Sequence, residues 1–155
     1  MSKQRTNDNN NRKQVQVYFD GLCQPVNPGG TACFAFIIKN EEGNTIHSDY
    51  GVAAHDSTNN VAEYTGLIKS LEWLIKNNYH NQTIVIMGDS MLVIHQLKKE
   101  FQVKAPTIIP LYRKAMSLVS KFYHIEFEWI PREQNKEADK LTCMAYEEIM
   151  HPPTI

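Results

Sequence analysis

The sequence has little that would direct it to a membrane, an oxidising compartment or a zinc site. No apolar run approaches the roughly 20 residues needed to cross a bilayer, and the polar N-terminus is unlike a secretory signal. The three cysteines, Cys23, Cys33 and Cys143, are an odd number without metal-ligand spacing, which argues against a disulfide framework. We therefore expect a cytoplasmic protein with reduced thiols and no membrane partner.

An excess of positive charge is also lacking. The 16 Lys and Arg residues are balanced by 17 Asp and Glu residues, so the formal net charge is -1. Domains that hold nucleic acid by charge alone are strongly basic. A polyanionic partner would have to be held by a local basic patch, by metal ions or by both.

Length and composition predict one domain. The chain has 155 residues, of which 42% are hydrophobic, enough for a single core. Residues 1–13 are polar and Asn-rich, which predicts a disordered extension. We expect the domain to span residues 14–150, a short tail to follow over 151–155, and the protein to be a monomer.

The hydrophobic pattern predicts an α/β fold. Alternating or continuous apolar residues predict five strands, at about 14–21, 31–40, 45–54, 83–88 and 124–130. Helical spacing predicts four helices, after residue 60 and over about 90–99, 108–122 and 135–150. This order predicts a mixed sheet in which three antiparallel strands are followed by strands joined through helices. Trp73 and Trp129 are interpreted as core residues.

Four carboxylates stand at strand ends and helix starts, and each has a local structural explanation. Asp20 belongs to the first strand or to an Asp-Gly turn that ends it. Asp89 follows the fourth strand, where it could be a helix N-cap. Glu63 follows Asn60 by three residues, as in a capping box. Asp139 lies in the first turns of the last helix, where an acid favours the helix dipole.

Together the four acids favour a metal site. An open α/β sheet gathers ligands at strand ends where the chain connections diverge, and these acids could converge there. Four carboxylates in one place repel each other unless a cation is bound. Hard oxygen ligands suit Mg²⁺ or Mn²⁺ better than Zn²⁺.

Four segments, FDGLCQPVNPGG, STNNVAEYTGL, GDSMLVIHQL and WIPREQNKEADKL, resemble in this order type 1 ribonuclease H, in the compact form found in archaea and some bacteria. The resemblance runs from about residue 14 to 150 and implies a ribonuclease H-like fold. It implies that Asp20, Glu63, Asp89 and Asp139 are catalytic metal ligands for two Mg²⁺ or Mn²⁺ ions bound with the substrate. The implied reaction cuts the RNA strand of RNA/DNA hybrids and leaves a 5′-phosphate and a 3′-hydroxyl.

The resemblance also implies substrate contacts. Cys23, Asn27, Asn59 and Asn60 match positions that contact the hybrid, largely through ribose 2′-hydroxyls. Thr58 matches a residue that helps to hold a phosphate of the DNA strand. The alternative interpretations are loop and cap roles for the Asn residues and packing for Cys23.

Two departures from the well-studied bacterial members stand out. The loop before the last helix lacks their histidine, and there Arg132 is expected to act as a fixed cation near the phosphate, with a plain surface arginine as the alternative. Their basic protrusion is also missing, so we expect weaker, salt-sensitive substrate binding. The positive charge of that region comes from Lys98, Lys99, Lys104, Arg113 and Lys114.

Other functions remain open at this point. Transposases, integrases and junction resolvases group acids on the same kind of sheet, although the STNNVAEY and NKEAD segments argue against them. A catalytically silent hybrid-binding module would not need a complete set of metal ligands. Cleavage of double-stranded RNA as well as hybrid is a further possibility that the resemblance leaves undecided.

Overall fold

The computed structural model describes residues 13–152. The expected N-terminal extension, residues 1–13, therefore lies outside the described residues except for its last position, and the expected tail is described only to residue 152. Within the described part of the chain, no helix is long and apolar enough to cross a membrane.

Five strands form one mixed sheet in the spatial order β3-β2-β1-β4-β5. Strand β1 pairs antiparallel with β2, and β2 with β3, whereas β1–β4 and β4–β5 are parallel. This topology confirms the predicted α/β fold with a five-stranded mixed sheet. The strands are β1 (Gln14–Gln24), β2 (Gly30–Lys39), β3 (Thr45–Ser57), β4 (Thr83–Gly88) and β5 (His124–Trp129).

Helices cover both faces of the sheet. Helices α1, α2 and α3 enclose the main hydrophobic core against one face, and α4 packs across β1, β2 and β3 on the other face. A short 3-10 turn, Arg132–Gln134, leads from β5 into α4. The helices are α1 (Asn59–Lys76), α2 (Met91–Leu97), α3 (Ile109–Val119) and α4 (Lys136–Met150).

The burial of each strand follows from its place in the sheet. In β1, Val15, Val17 and Phe19 alternate toward the core with α1 and are fully buried. Every residue of β2 from 32 to 38 is buried because helices cover both of its faces. This accounts for the continuous apolar run that predicted β2, since a strand buried on both faces does not alternate.

Two of the local interpretations of the acids are wrong. Helix α1 is capped by Thr58, whose side chain accepts a backbone N–H from the first turn at 3.2 Å. Glu63 therefore lies beyond the cap and takes no part in a capping box. Helix α2 is capped in the same way by Ser90, so Asp89 is not its N-cap.

Two further sequence interpretations are corrected by the sheet. Strand β1 continues through Gly21 to Gln24, so the Asp-Gly pair at Asp20 is not a turn. Trp129 is 39% exposed because β5 lies at the edge of the sheet, whereas Trp73 is partly buried against the main core.

Candidate metal centre

Three of the four acids meet beside the central strand β1, just beyond the end of β4. Asp20 lies in β1, Glu63 in α1, and Asp89 directly after β4. One carboxylate oxygen from each lies within 4.8 Å of the others. Asp20 and Glu63 are only 5% and 2% exposed, so the cluster forms largely beneath the surface.

Two glycines allow Glu63 to approach Asp20. A Cβ atom on Gly21 would lie 2.4 Å from the main-chain nitrogen of Glu63. A Cβ atom on Gly66 would lie 2.9 Å from the carbonyl oxygen of Ala35, on the neighbouring strand. Because neither glycine carries a side chain, α1 packs directly on the backbone of the sheet at this point.

The parallel pairing of β1 with β4 brings Asp89 to the same edge. Tyr18 is paired with Met87, so Asp20 and Asp89 each follow that pair by two residues. A Cβ atom on Gly88 would lie 2.7 Å from the Phe19 ring, so the residue before Asp89 must also be small. The register of two parallel strands therefore sets the spacing between two of the acids.

The cluster is electrostatically unfavourable without a cation. Burial raises the pKa of Asp20, and the charges of Asp89 and Asp139 raise it further. Burial also raises the pKa of Glu63 well above its ordinary value, and the negative charges of Asp20 and Asp89 raise this pKa further. The Gly21 backbone N–H opposes both shifts by hydrogen bonding to the carboxylates. The metal-free site therefore retains protons that a bound cation would displace.

The donor set fits a hard divalent cation. All three ligating groups are carboxylates, and Glu63 Oε2 is buried without a hydrogen-bond partner among the described residues. A buried carboxylate oxygen is stabilised by hydrogen bonds or by a metal ion. Oxygen ligands of this kind suit Mg²⁺ or Mn²⁺.

The fourth acid and the predicted cation lie at the start of α4 and just before it: Asp139 within the helix and Arg132 in the 3-10 turn. Asp139 is in the first turns of α4, and its charge acts on Asp20, although it is outside the group of three within 4.8 Å. Arg132 is exposed at the start of the 3-10 turn. Asp139 thus joins the other acids electrostatically, and the side chain of Arg132 faces solvent.

The predicted substrate residues lie in two neighbouring segments, the end of β1 with the loop that follows it and the start of α1. Asn27 Oδ1 accepts the backbone N–H of Asn59 at 3.0 Å, which ties the β1–β2 loop to the start of α1. Thr58 caps α1, and Asn60 follows in its first turn, half-buried. The Cys23 thiol is buried, 7% exposed, and donates to the carbonyl oxygen of Val26 at 3.2 Å.

Sequence reasoning missed two residues that contact Asp89. The Asn135 side chain donates to Asp89 Oδ2 at 3.0 Å, and the Trp129 indole donates to the main-chain oxygen of Asp89 at 3.0 Å. An Asn before a helix ordinarily indicates a cap and a Trp in a strand ordinarily indicates core packing, so neither pattern pointed to the acids. Asn135 is only 1% exposed, and this burial, which the sequence pattern does not show, is what separates it from an ordinary capping Asn.

The sheet order and the grouped acids together define the ribonuclease H class of fold. The model of the family described as reverse transcriptase-like matches residues 18–145, which is most of the chain. The chain belongs to this family and, within it, to the compact type 1 ribonucleases H.

Three relatives illustrate the similarity. The bifunctional protein Rv2228c of Mycobacterium tuberculosis is 36% identical over 74% of this chain, which spans 31% of that protein. Its N-terminal RNase H domain superposes with a TM-score of 0.80 at 31% identity, covering 89% of this chain and 96% of that domain. Ribonuclease HI of Halobacterium salinarum is 30% identical, over 87% of this chain and 65% of its own length.

The third relative was solved with nucleic acid. LC11-RNase H1, isolated from compost by a metagenomic approach, has a TM-score of 0.80 and 30% identity in its complex with an RNA/DNA hybrid. The similarity covers 88% of this chain and 99% of that one.

Proposed function

We propose that the protein is an endoribonuclease that hydrolyses the RNA strand of RNA/DNA hybrids with a divalent cation. The observation that carries this proposal is the group formed by buried Asp20 and Glu63 with half-buried Asp89 on a ribonuclease H fold, with ligand atoms within 4.8 Å. The hybrid bound by LC11-RNase H1 supports the choice of substrate.

The acids would hold the cations. Asp20, Glu63 and Asp89 offer grouped oxygens, and Asp139 adds negative charge beside Asp20. With substrate bound, two Mg²⁺ or Mn²⁺ ions would activate the attacking water and stabilise the departing 3′ oxygen of an in-line displacement. The products would carry a 5′-phosphate and a 3′-hydroxyl.

The chain's other residues would bind and orient the hybrid. Asn27 lies in the β1–β2 loop and Asn59 and Asn60 begin α1, and the amide groups of these joined segments can bond ribose 2′-hydroxyls. Thr58 would contact a DNA-strand phosphate, and Cys23 would pack beneath the loop because its thiol is buried. Arg132, exposed before α4, would supply a fixed positive charge near the phosphate backbone.

We propose that residues 14–150 form the ribonuclease H domain and that the protein acts as a cytoplasmic monomer. One five-stranded sheet carries the main buried core, a smaller second core cluster that includes Val85 and Met87, and one acid cluster among residues 13–152, and this supports one unit. Gel filtration with light scattering would measure the oligomeric state.

The test is cleavage of end-labelled duplexes of one sequence as RNA/DNA hybrid, double-stranded RNA and double-stranded DNA. Each duplex is incubated with Mg²⁺, Mn²⁺ or EDTA, and both product ends are mapped. We expect metal-dependent cutting of the hybrid RNA strand, with 5′-phosphate and 3′-hydroxyl ends. The double-stranded RNA lanes determine whether the substrate range extends beyond hybrids.

Hybrid binding without cleavage under either metal would contradict the proposal. That result would identify a hybrid-binding module instead. Cleavage that persists in EDTA would contradict the metal dependence, and products with 5′-hydroxyl ends would contradict the proposed chemistry.

A further inference from the structure

Asn135 lies where three acid-bearing segments meet. Its side-chain nitrogen donates to the carbonyl oxygen of Phe19, at 2.9 Å, and to Asp89 Oδ2, at 3.0 Å. Phe19 is the residue before Asp20. The carbonyl oxygen of Asn135 accepts the backbone N–H of Asp139 at 3.1 Å. One buried residue therefore contacts the segments that carry Asp20, Asp89 and Asp139.

The orientation of the Asn135 amide follows from its partners. A backbone carbonyl and an ionised carboxylate can only accept hydrogen bonds, so the amide nitrogen must face them. The amide oxygen, Oδ1, is buried and has no hydrogen-bond partner among the described residues. A buried polar atom without a partner lowers stability. The contribution of this side chain to the fold therefore comes from its two N–H donors, one bonded to Asp89 and the other to the β1 backbone one residue before Asp20.

The ordinary role of an Asn at this position is not fulfilled. Asn135 is the residue before α4, but its side chain makes no capping hydrogen bond to that helix. The side chain turns instead toward β1 and Asp89. Helix capping therefore does not account for the residue.

Asp89 is held from two directions. The Trp129 indole fixes the main chain of Asp89 through its carbonyl oxygen at 3.0 Å, and Asn135 fixes one carboxylate oxygen. A donor on one oxygen restricts rotation of the carboxylate and leaves the second oxygen as a ligand. The same amide also bonds β1 one residue before Asp20, so it sets Asp89 relative to Asp20.

We propose that Asn135 is a positioning residue of the metal centre, holding the Asp89 carboxylate at the spacing from Asp20 and Glu63 at which the three share a cation. The inference rests on the proposed metal-dependent function and deepens it. Asn135 contacts a ligand rather than the substrate, so it acts through Asp89.

The test compares two variants that each replace a buried amide with an apolar side chain of similar shape. Asn135→Leu removes the donors to Asp89 and to the Phe19 carbonyl without adding charge. Gln96→Met removes a buried amide outside the cluster, where Gln96 Oε1 accepts the Tyr64 hydroxyl at 2.7 Å. Gln96 is 6% exposed, so both variants remove hydrogen bonds from the interior.

Three quantities are measured for the wild type and both variants. Calorimetry gives Mn²⁺ affinity without nucleic acid, urea unfolding in EDTA gives stability, and initial rates give kcat and KM for the hybrid. For Asn135→Leu we expect Mn²⁺ affinity to fall about tenfold or more, as for other residues that orient metal ligands. Its kcat should fall while KM stays within about twofold of the wild type. Gln96→Met should lose stability but bind Mn²⁺ with wild-type affinity.

Wild-type Mn²⁺ affinity in Asn135→Leu, or an equal loss in Gln96→Met, would overturn the inference and leave Asn135 a purely structural residue. If Asn135→Leu does not fold, the same three quantities are measured for Asn135→Ser, whose shorter side chain cannot reach both the Phe19 carbonyl and Asp89. Wild-type Mn²⁺ affinity in that variant would likewise overturn the inference. The proposed function fails separately: a wild type that binds Mn²⁺ but cuts no hybrid would refute the nuclease, and the affinity comparison would still test Asn135.

Discussion

Replacing Gly21 with alanine tests whether close packing of α1 on β1 builds the metal centre. The new Cβ atom would lie 2.4 Å from the main-chain nitrogen of Glu63 and 2.6 Å from the carbonyl carbon of Ala62. Both are helix backbone atoms, so no side-chain rotation relieves the contact. Ordinary van der Waals contacts of a Cβ begin at 3.4 Å, so α1 must move about 1 Å away from β1.

The expected effects follow from that displacement. Overpacking an interior typically costs about 1–3 kcal/mol, and we expect Gly21→Ala to reach at least the upper end because the obstacle is backbone. A misplacement of 1 Å can reduce catalysis about 100-fold. Urea unfolding in EDTA measures the stability, and initial rates of hybrid cleavage at saturating Mn²⁺ measure the activity.

Gly51→Ala is the matched control, because a Cβ on Gly51 would meet only ring carbons of Phe34, at 3.2 and 3.3 Å. A side chain at that distance can adjust, so we expect a stability change within about 1 kcal/mol and wild-type cleavage. Wild-type stability and rate in Gly21→Ala would show that the metal centre does not depend on this close approach of α1 to β1.

Three further predictions concern charge. Since the folded-state pKa of Asp20 is raised by burial and then by Asp89, the metal-free protein loses stability as pH rises above the ordinary carboxyl range. Asp20→Asn should therefore stabilise the metal-free protein by more than about 1 kcal/mol at pH 8, and by less at pH 5, in thermal unfolding with EDTA. An equal stabilisation by the substitution at the two pH values would contradict this. Arg132→Ala should lower kcat for the hybrid about tenfold or more, whereas Arg113→Ala on α3 should not, and equal effects would remove the special role of Arg132. The logarithm of the association constant for the hybrid should fall linearly with the logarithm of salt concentration, with a slope of about -0.9 for each phosphate contact, and a flat dependence would exclude binding through phosphates.

The sequence predicted the fold because its periodicities are strong. Apolar alternation in β1 and the continuous apolar run of β2 correspond to one-sided and two-sided burial in the observed sheet. The boundaries were less accurate: β3 extends to Ser57 and β1 to Gln24, beyond the predicted ends. Polar residues near the strand ends carry no alternation signal, although they continue the backbone pairing.

The acids were predicted as a set, but their local settings were not. Glu63 and Asp89 have cap-like sequence contexts, yet the caps are Thr58 and Ser90. Which polar residue caps a helix depends on where the first turn begins, and single residues shift that choice. The approach of α1 at Gly21 depends on contacts between distant segments, which local patterns do not encode.

Cleavage of an RNA/DNA hybrid in Mg²⁺, compared between the wild type and Asp20→Asn, shows whether the acid cluster is the catalytic centre of a ribonuclease H. The matched control is Asp49→Asn, which makes the same change at an exposed acid on β3. We expect the wild type and Asp49→Asn to cut the RNA strand and Asp20→Asn to be inactive although folded. Equal cleavage by Asp20→Asn, or none by the wild type in Mg²⁺ or Mn²⁺, would contradict the account.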